Sequence, residues 1–339
     1  MKAIGVRQYL PTSDPDCFVE FDQATPAPGP RDLLVRIKAV SVNPVDTKVR
    51  AGISAELDEP RVLGWDAAGI VEQVGNDVSL FKPGDAVWYA GSITRPGCNA
   101  ELQCVDERIA GHKPASLGYA EAAAMPLTAI TAWEALFERL GIHRLKDAGK
   151  SILIIGGAGG VGSIAIQMAS EIAGLAVIAT ASRDETMAWC RKMGASECIN
   201  HRNDMKQELE RIGVAEVDYI LCLNDTDYYF AIMADVIKPQ GSICSIVGNS
   251  RPLDLDLLKS KSATFAWEFM FTRAMYETDD MHRQHDLLEE VARLIDAGRL
   301  HTTLTRQHGT MSAETLRTAH AKLESGRMIG KLVLDGIAS

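Results

Sequence analysis

The sequence predicts an α/β fold in two domains, an all-β module shaped as a partly open barrel and a doubly wound parallel sheet inserted within it. Three observations carry that expectation. The 339 residues exceed what one hydrophobic core usually organises. The first third is built of β-branched runs cut by Pro and Gly, whereas from about residue 120 short apolar runs alternate with helical stretches. β texture then returns at the end, so both ends of the chain are expected in one domain: residues 1–126 completed by 272–339, with 127–271 inserted.

Residues 33–42, 69–74, 85–89 and 102–105 read as strands because each is an apolar, β-branched run between turn residues. Turn chemistry is dense there, in Pro26-Ala27-Pro28-Gly29-Pro30 and Lys82-Pro83-Gly84-Asp85, which favours a compact barrel over a disordered tail. Helical spacing of Ala, Met, Leu and Trp over 120–140 stops at Gly141. Short strands follow at 151–155, 175–180, 197–200, 217–223 and 242–247, separated by helix-length stretches, the alternation of a parallel sheet with helices on both faces. Residues 263–270 read as a sixth strand. The aromatic run Phe265, Trp267, Phe269 and Phe271 alternates as a strand does, so one face would wall a cleft, or else pack in a core or subunit interface. An amphipathic helix at 280–298, a strand at 301–307, a helix at 312–323 and a strand at 331–334 complete the chain.

Composition removes several functional classes. A net charge of −10 with no local Lys/Arg cluster repels phosphate backbones and anionic lipid, which argues against nucleic acid or a membrane as partner. No apolar run approaches the ~18 residues that a membrane helix needs. The opening Met1-Lys2-Ala3-Ile4 alternates as a strand does rather than as a signal peptide, so a cytoplasmic protein is expected. The seven cysteines show no paired spacing of the disulfide or structural-zinc type.

The densest chemical signal is Gly157-Ala158-Gly159-Gly160-Val161-Gly162, directly after an apolar strand and before a helical stretch. In that context Gly157 serves the tight turn, Gly159 the close approach of a pyrophosphate, and Gly162 the packing of helix on strand. Free N–H groups at the helix start, beginning with Gly160 and Val161, face the anion. This is the Rossmann pattern for a dinucleotide. The second strand would present a carboxylate about 20 residues beyond the loop if a ribose 2′-hydroxyl were to be bound. Here it ends in Thr180-Ala181-Ser182-Arg183. A hydroxyl beside a guanidinium suits a 2′-phosphate, so NADPH is expected over NADH. The competing reading puts Asp184 or Glu185 on the ribose and leaves Arg183 solvated. His201, after the third strand, lines the same pocket or sits in a surface loop.

Taken in order, several segments resemble landmarks of the medium-chain dehydrogenase/reductase superfamily, and within it the zinc-lacking, quinone oxidoreductase-like branch. They are Ser41-Val42-Asn43-Pro44-Val45-Asp46, Gly64-Trp65-Asp66, Lys82-Pro83-Gly84-Asp85, Pro126-Leu127-Thr128-Ala129 through Trp133, the glycine loop and Gly330-Lys331-Leu332-Val333. The resemblance covers nearly the whole chain. It implies a GroES-like barrel as catalytic domain, a Rossmann domain, an active site in the cleft between them and a homodimer. It also places Asn43 and Thr128 at the nicotinamide end of the cofactor and Lys331 near the same cleft. On the residues alone, Asn43 before Pro44 is equally a turn residue, Thr128 a helix cap and Lys331 a solvated strand residue. Quinone oxidoreductases carry Tyr where this chain has Lys48, so Lys48 would donate to the product oxygen in place of a phenol, or stay exposed as lysines commonly do.

Zinc-dependent relatives place Cys where this chain has Asn43 and a His-Glu pair where it has Trp65-Asp66. Neither Asn nor Trp supplies the thiolate, imidazole or carboxylate that a catalytic zinc takes. Their structural zinc uses four closely spaced cysteines, and only Cys98 and Cys104 lie nearby. No metal is therefore expected, unless a one-carboxylate site forms at Asp46 or Asp66. Without a Lewis acid an alcohol lacks the help it needs to lose its proton. A quinone or an α,β-unsaturated ketone is electrophilic already and takes hydride with hydrogen-bond support alone. The expected function is NADPH-dependent reduction of such acceptors, with Asn43, Lys48 and Thr128 as catalytic candidates. A zinc-type alcohol dehydrogenase and a non-enzymatic NADPH-binding protein are the competing readings.

Overall fold

Eight strands open the chain: β1 (Lys2–Val6), β2 (Val19–Asp22), β3 (Asp32–Ser41), β4 (Arg61–Val62), β5 (Ala67–Val74), β6 (Ala86–Tyr89), β7 (Leu102–Asp106) and β8 (Ala110–His112), in a computed structural model that describes residues 1–338. β3 organises them because it is long enough to have two partners along one edge. β5 runs antiparallel along one side, while the other side is divided between β7, at Asp32 to Arg36, and the chain's last strand, at Ala39 to Ser41. β6 and β8 extend the sheet beyond β5, and β2, β1 and β4 form a separate three-stranded sheet. This is the GroES-like barrel unit, Met1–Leu127 with the segment from Phe271 onward.

The second unit, Thr128–Met270, is the Rossmann domain. Its strands β9 (Ser151–Ile155), β10 (Ala176–Thr180), β11 (Glu197–Ile199), β12 (Val217–Cys222), β13 (Ile237–Ser245) and β14 (Thr264–Trp267) are all parallel, in the order β11-β10-β9-β12-β13-β14. Leu153, Ile155, Ile178, Ile220 and Ile243 are buried in its core, as befits strands covered on both faces. The order reverses between β9 and β12, and a dinucleotide binds at such a switch point, outside the carboxyl ends of the strands.

Three expectations change. The predicted helix 120–140 is three pieces, Tyr119–Ala123, Pro126–Trp133 and a π-helical Glu134–Arg139, because Pro126 has no N–H to continue the first. β13 starts five residues before the predicted 242, with a register irregularity against β12 and Gln240 at φ +63°. The aromatic run does not share one strand face: β14 stops at Trp267. Phe265 packs against Phe230 with ring centroids 5.4 Å apart, Trp267 and Phe269 are exposed, and Phe271 is buried against Trp65 at 6.3 Å.

β15 (Leu304–Thr310) and β16 (Lys331–Asp335) then return to the barrel unit, where they pair parallel to each other. β16 lies antiparallel to β3 with Val333 opposite Ser41, which carries Lys331 to the end of β3.

Candidate active site

The chain leaves β3 and turns at Asn43 into the helix Pro44–Ala51. Asn43 has φ −132° and ψ 156°, the extended geometry suited both to a residue before proline and to an N-cap. Asp46 accepts the Asn43 N–H on Oδ2 at 2.7 Å, while its own N–H goes to the Asn43 carbonyl at 2.9 Å. The Asn43 side chain is thereby released from capping and turns inward. Its Nδ2 donates to Asp66 Oδ2 at 3.1 Å and approaches the carbonyls of Ser41 and Trp65 at 3.3 and 3.4 Å, and its Oδ1 accepts from Lys331 Nζ. Lys331 also donates to the Val42 carbonyl at 2.9 Å and pairs with Asp66 at 3.1 Å. An ammonium with three hydrogens has three acceptors. Asp66 Oδ1 accepts the Leu127 N–H at 3.1 Å, in the first turn of the helix Pro126–Trp133.

Asn43, Asp46, Asp66 and Lys331 are each at most 3% exposed. Burial raises the Asp66 carboxyl above its ordinary range, with the Lys331 ammonium working against it. Burial also pushes Asp46 up to about 7, opposed by the Asn43 N–H and by Lys331.

The Asn43 amide and the Lys331 ammonium, both expected near the nicotinamide, spend their donors on acceptors within the barrel unit. Lys48 is on the exposed side of its helix, apart from the cluster. Thr128 is buried, one residue beyond the Leu127 that Asp66 holds. From sequence, Asp46 or Asp66 is expected at most to form a one-carboxylate metal site, and neither is expected as a hydrogen-bond partner of Asn43. The spacing Asn-Pro-x-Asp, an N-cap with proline first and an acid third in the helix, is the signal that joins Asp46 to Asn43.

The donor set does not fit a zinc ion. The Trp65 indole donates its N–H to the Ser92 carbonyl at 3.0 Å, and both Asp66 oxygens and the Asn43 amide are already bonded. The Cys98 thiol donates to the Asp66 carbonyl at 3.6 Å, and burial, together with the nearby carboxyls, disfavours its thiolate. Among the described residues, no group of three or more His, Cys, Asp or Glu is placed to hold a metal.

In the Rossmann unit the tight turn belongs to Gly156, at φ +91°, not to Gly157. Gly157 is required by packing, because a Cβ there would come within 2.8 Å of the Ala179 Cβ and 3.1 Å of the Cys190 Sγ. At Gly162 a Cβ would meet the carbonyl oxygens of Gly156 and Gly157 at 2.5 Å. Gly159 differs: the nearest atom to its Cβ would be the Gly156 oxygen, at 3.7 Å. Nothing in the protein demands glycine there, whereas a pyrophosphate approaching the start of the helix Gly160–Gln167, with Gly160 and Val161 in its first turn, would. The residues present fit a dinucleotide.

β10 runs beside this loop, its Thr180 accepting the Gly156 N–H on Oγ1 at 3.0 Å and the Gly157 N–H on its carbonyl at 3.2 Å. Ser182 and Arg183, both half-buried, follow immediately. The Arg183 guanidinium pairs with Glu185 at 2.8 Å. His201 is held below the usual histidine range by burial and by the positive charges of Arg202 and Arg183, so three cationic or proton-accepting groups meet at this corner.

A family model described as an alcohol dehydrogenase GroES-like domain matches residues 29–134, and one described as a zinc-binding dehydrogenase matches residues 193–334. A Staphylococcus epidermidis protein named zinc-type alcohol dehydrogenase-like protein is 44% identical over 99% of this chain and 99% of its own length. Among solved structures, a candidate zinc-dependent alcohol dehydrogenase from Rhizobium etli is 48% identical, covering 100% of this chain and 99% of that one, with a TM-score of 0.94. The quinone oxidoreductase from Coxiella burnetii is 28% identical over 98% of both chains, with a TM-score of 0.80.

Proposed function

The chain belongs to the medium-chain dehydrogenase/reductase superfamily of oxidoreductases, and on that premise we propose that it is an NADPH-dependent reductase of quinones or α,β-unsaturated carbonyls that needs no catalytic metal. The observation that carries this reading is the Lys331 ammonium, bonded to Asn43 and Asp66, in a cluster where the indole of Trp65 cannot ligate. Such a site supplies no Lewis acid, so it favours an acceptor that is electrophilic beforehand. The cofactor supplies hydride when bound. The chain's own part is to hold the pyrophosphate on the glycine loop, to hold the 2′-phosphate with Ser182, Arg183 and His201, and to exclude water from the polar cluster. The relatives' names speak of zinc, and the donor set of this chain does not follow them.

The test is NADPH oxidation by naphthoquinones and simple enones, with metal analysis of protein purified without chelator. Turnover with sub-stoichiometric zinc is expected. Stoichiometric zinc with alcohol oxidation would overturn the reading, and so would failure to reduce any acceptor.

Arg183→Ala is expected to weaken NADPH binding about 10- to 100-fold and NADH binding little, since one charge-assisted contact of about 1.5–3 kcal/mol is lost. Fluorescence titration with both cofactors checks this, and an equal loss for the two would remove the phosphate from Arg183. The same reading takes the protein as a cytoplasmic homodimer. Its support is that β14 ends the sheet with Trp267 and Phe269 exposed beside it.

A further inference from the structure

Two thiols of the Rossmann unit stand side by side next to the glycine loop. Cys190 lies on the helix Asp184–Lys192, and Cys198 on β11, the three-residue strand at one edge of the sheet. In the parallel register Cys198 is opposite Ala179 of β10, so both side chains rise on the same face of the sheet. The helix covers that face. A Cβ on Gly157 would meet the Ala179 Cβ at 2.8 Å and the Cys190 Sγ at 3.1 Å, which puts the Cys190 sulfur over the loop and beside the strand that carries Ala179. The Cys198 Sγ in turn reaches the helix, donating to the Met187 carbonyl at 3.6 Å. The chain returns from helix to strand through a tight turn, with the Ala195 N–H on the Cys190 carbonyl at 3.0 Å. The two sulfurs are themselves hydrogen-bonded, Cys190 donating, and this bond holds Cys198 below the ordinary thiol range although burial works against it. The elements that bear the two thiols are also those of the proposed 2′-phosphate corner: Arg183 caps the helix at its start, and His201 follows β11.

We propose that Cys190 and Cys198 are a redox pair, closed to a disulfide by hydrogen peroxide, and that the closed form binds NADPH more weakly. The bond stands on the geometry above, while its consequence rests on the cofactor reading. β11 has a ladder partner on one side only, so peroxide reaches Cys198 through local opening of this edge. The Cys198 sulfur attacks one peroxide oxygen, the O–O bond breaks, and the other oxygen leaves with the thiol proton as water. The Cys190 sulfur then displaces the oxygen held on Cys198, which takes the second thiol proton and leaves as water. Two thiols and one peroxide thus give one disulfide and two waters, each sulfur losing one electron and the peroxide gaining both. Closing the S–S bond to about 2.05 Å draws the Cys190 sulfur toward β11 and away from Gly157. It also clamps the helix that begins at Arg183 to the strand that leads to His201.

The test treats the full chain with hydrogen peroxide, alkylates the remaining thiols and digests with trypsin. Trypsin cuts after Arg191 and Lys192, so the two cysteines fall on separate peptides. A peptide pair joined through Cys190 and Cys198 is expected, with two of the seven thiols lost. Fluorescence titration of the oxidised protein should give an NADPH dissociation constant about 10-fold higher than that of the reduced protein. Dithiothreitol should restore it, whereas methionine oxidation would persist. In Cys198→Ala, peroxide should leave the NADPH affinity where it was. Absence of the joined peptides, a joined pair with unchanged NADPH affinity, or an equal loss of affinity in peroxide-treated Cys198→Ala would overturn the proposal. A joined pair in a chain whose reduced form binds no NADPH would overturn the cofactor reading, and with it the consequence of the disulfide but not its location.

Discussion

Lys331→Met is expected to lower the free energy of unfolding by about 3–5 kcal/mol, the cost of leaving one partner of a buried ion pair alone. Asp66, 0% exposed, would keep its carboxylate without the ammonium now 3.1 Å away. The Val42 carbonyl and Asn43 Oδ1 would lose their donor at the same time. Methionine nearly preserves the volume of the lysine stem, so lost packing is not the main term. The double variant Lys331→Met/Asp66→Asn separates the causes. If the unpaired charge is what destabilises, removing it should recover most of the loss, giving a large coupling in a double-mutant cycle of urea unfolding. The single variant's deficit should also shrink as pH falls, because a protonated Asp66 no longer needs a counter-charge. A double variant no more stable than the single one would make Lys331 a packing residue.

Much of the Rossmann unit was legible in the sequence because its signals are local. The apolar run at 151–155 coincides with β9, and a Gly-rich turn between strand and helix has few other uses. Gly156 shows where local reading stops. The sequence pattern assigns the tight turn to the first glycine of the motif, but the backbone takes its positive φ one residue earlier, and Gly157 is required instead by the side chains of Ala179 and Cys190. Those contacts are set by strand and helix packing that spacing does not reveal. The barrel's cluster is harder still. Lys331 is 288 residues from Asn43, and only the antiparallel register of β16 on β3 brings them together. Resemblance implies that Asn43 and Lys331 lie near one cleft, and says nothing of the hydrogen bond that joins them to each other. Lys48 stands where quinone oxidoreductases carry Tyr, yet helical periodicity turns Asp46 and Arg50 inward and leaves Lys48 exposed.

Gly159→Ala and Gly162→Ala are expected to fail in different ways, and the difference locates the pyrophosphate. A methyl at Gly162 would lie 2.5 Å from two carbonyl oxygens of the loop itself. Those atoms are backbone and cannot swing aside, so the variant should lose about 1–3 kcal/mol of stability as an overpacked site does, and cofactor binding with it. Gly159 has φ −72° and ψ 176°, open to any residue, and a methyl there would meet nothing nearer than 3.7 Å. Gly159→Ala should therefore unfold within about 0.5 kcal/mol of the wild type. Its NADPH dissociation constant should nonetheless rise about 10- to 100-fold, because the methyl stands where the anion must approach the N–H groups of the helix start. Thermal unfolding without cofactor and fluorescence titration with NADPH read the two effects separately. Unchanged affinity in a stable Gly159→Ala variant would place the pyrophosphate elsewhere, since no contact inside the protein accounts for glycine at that position.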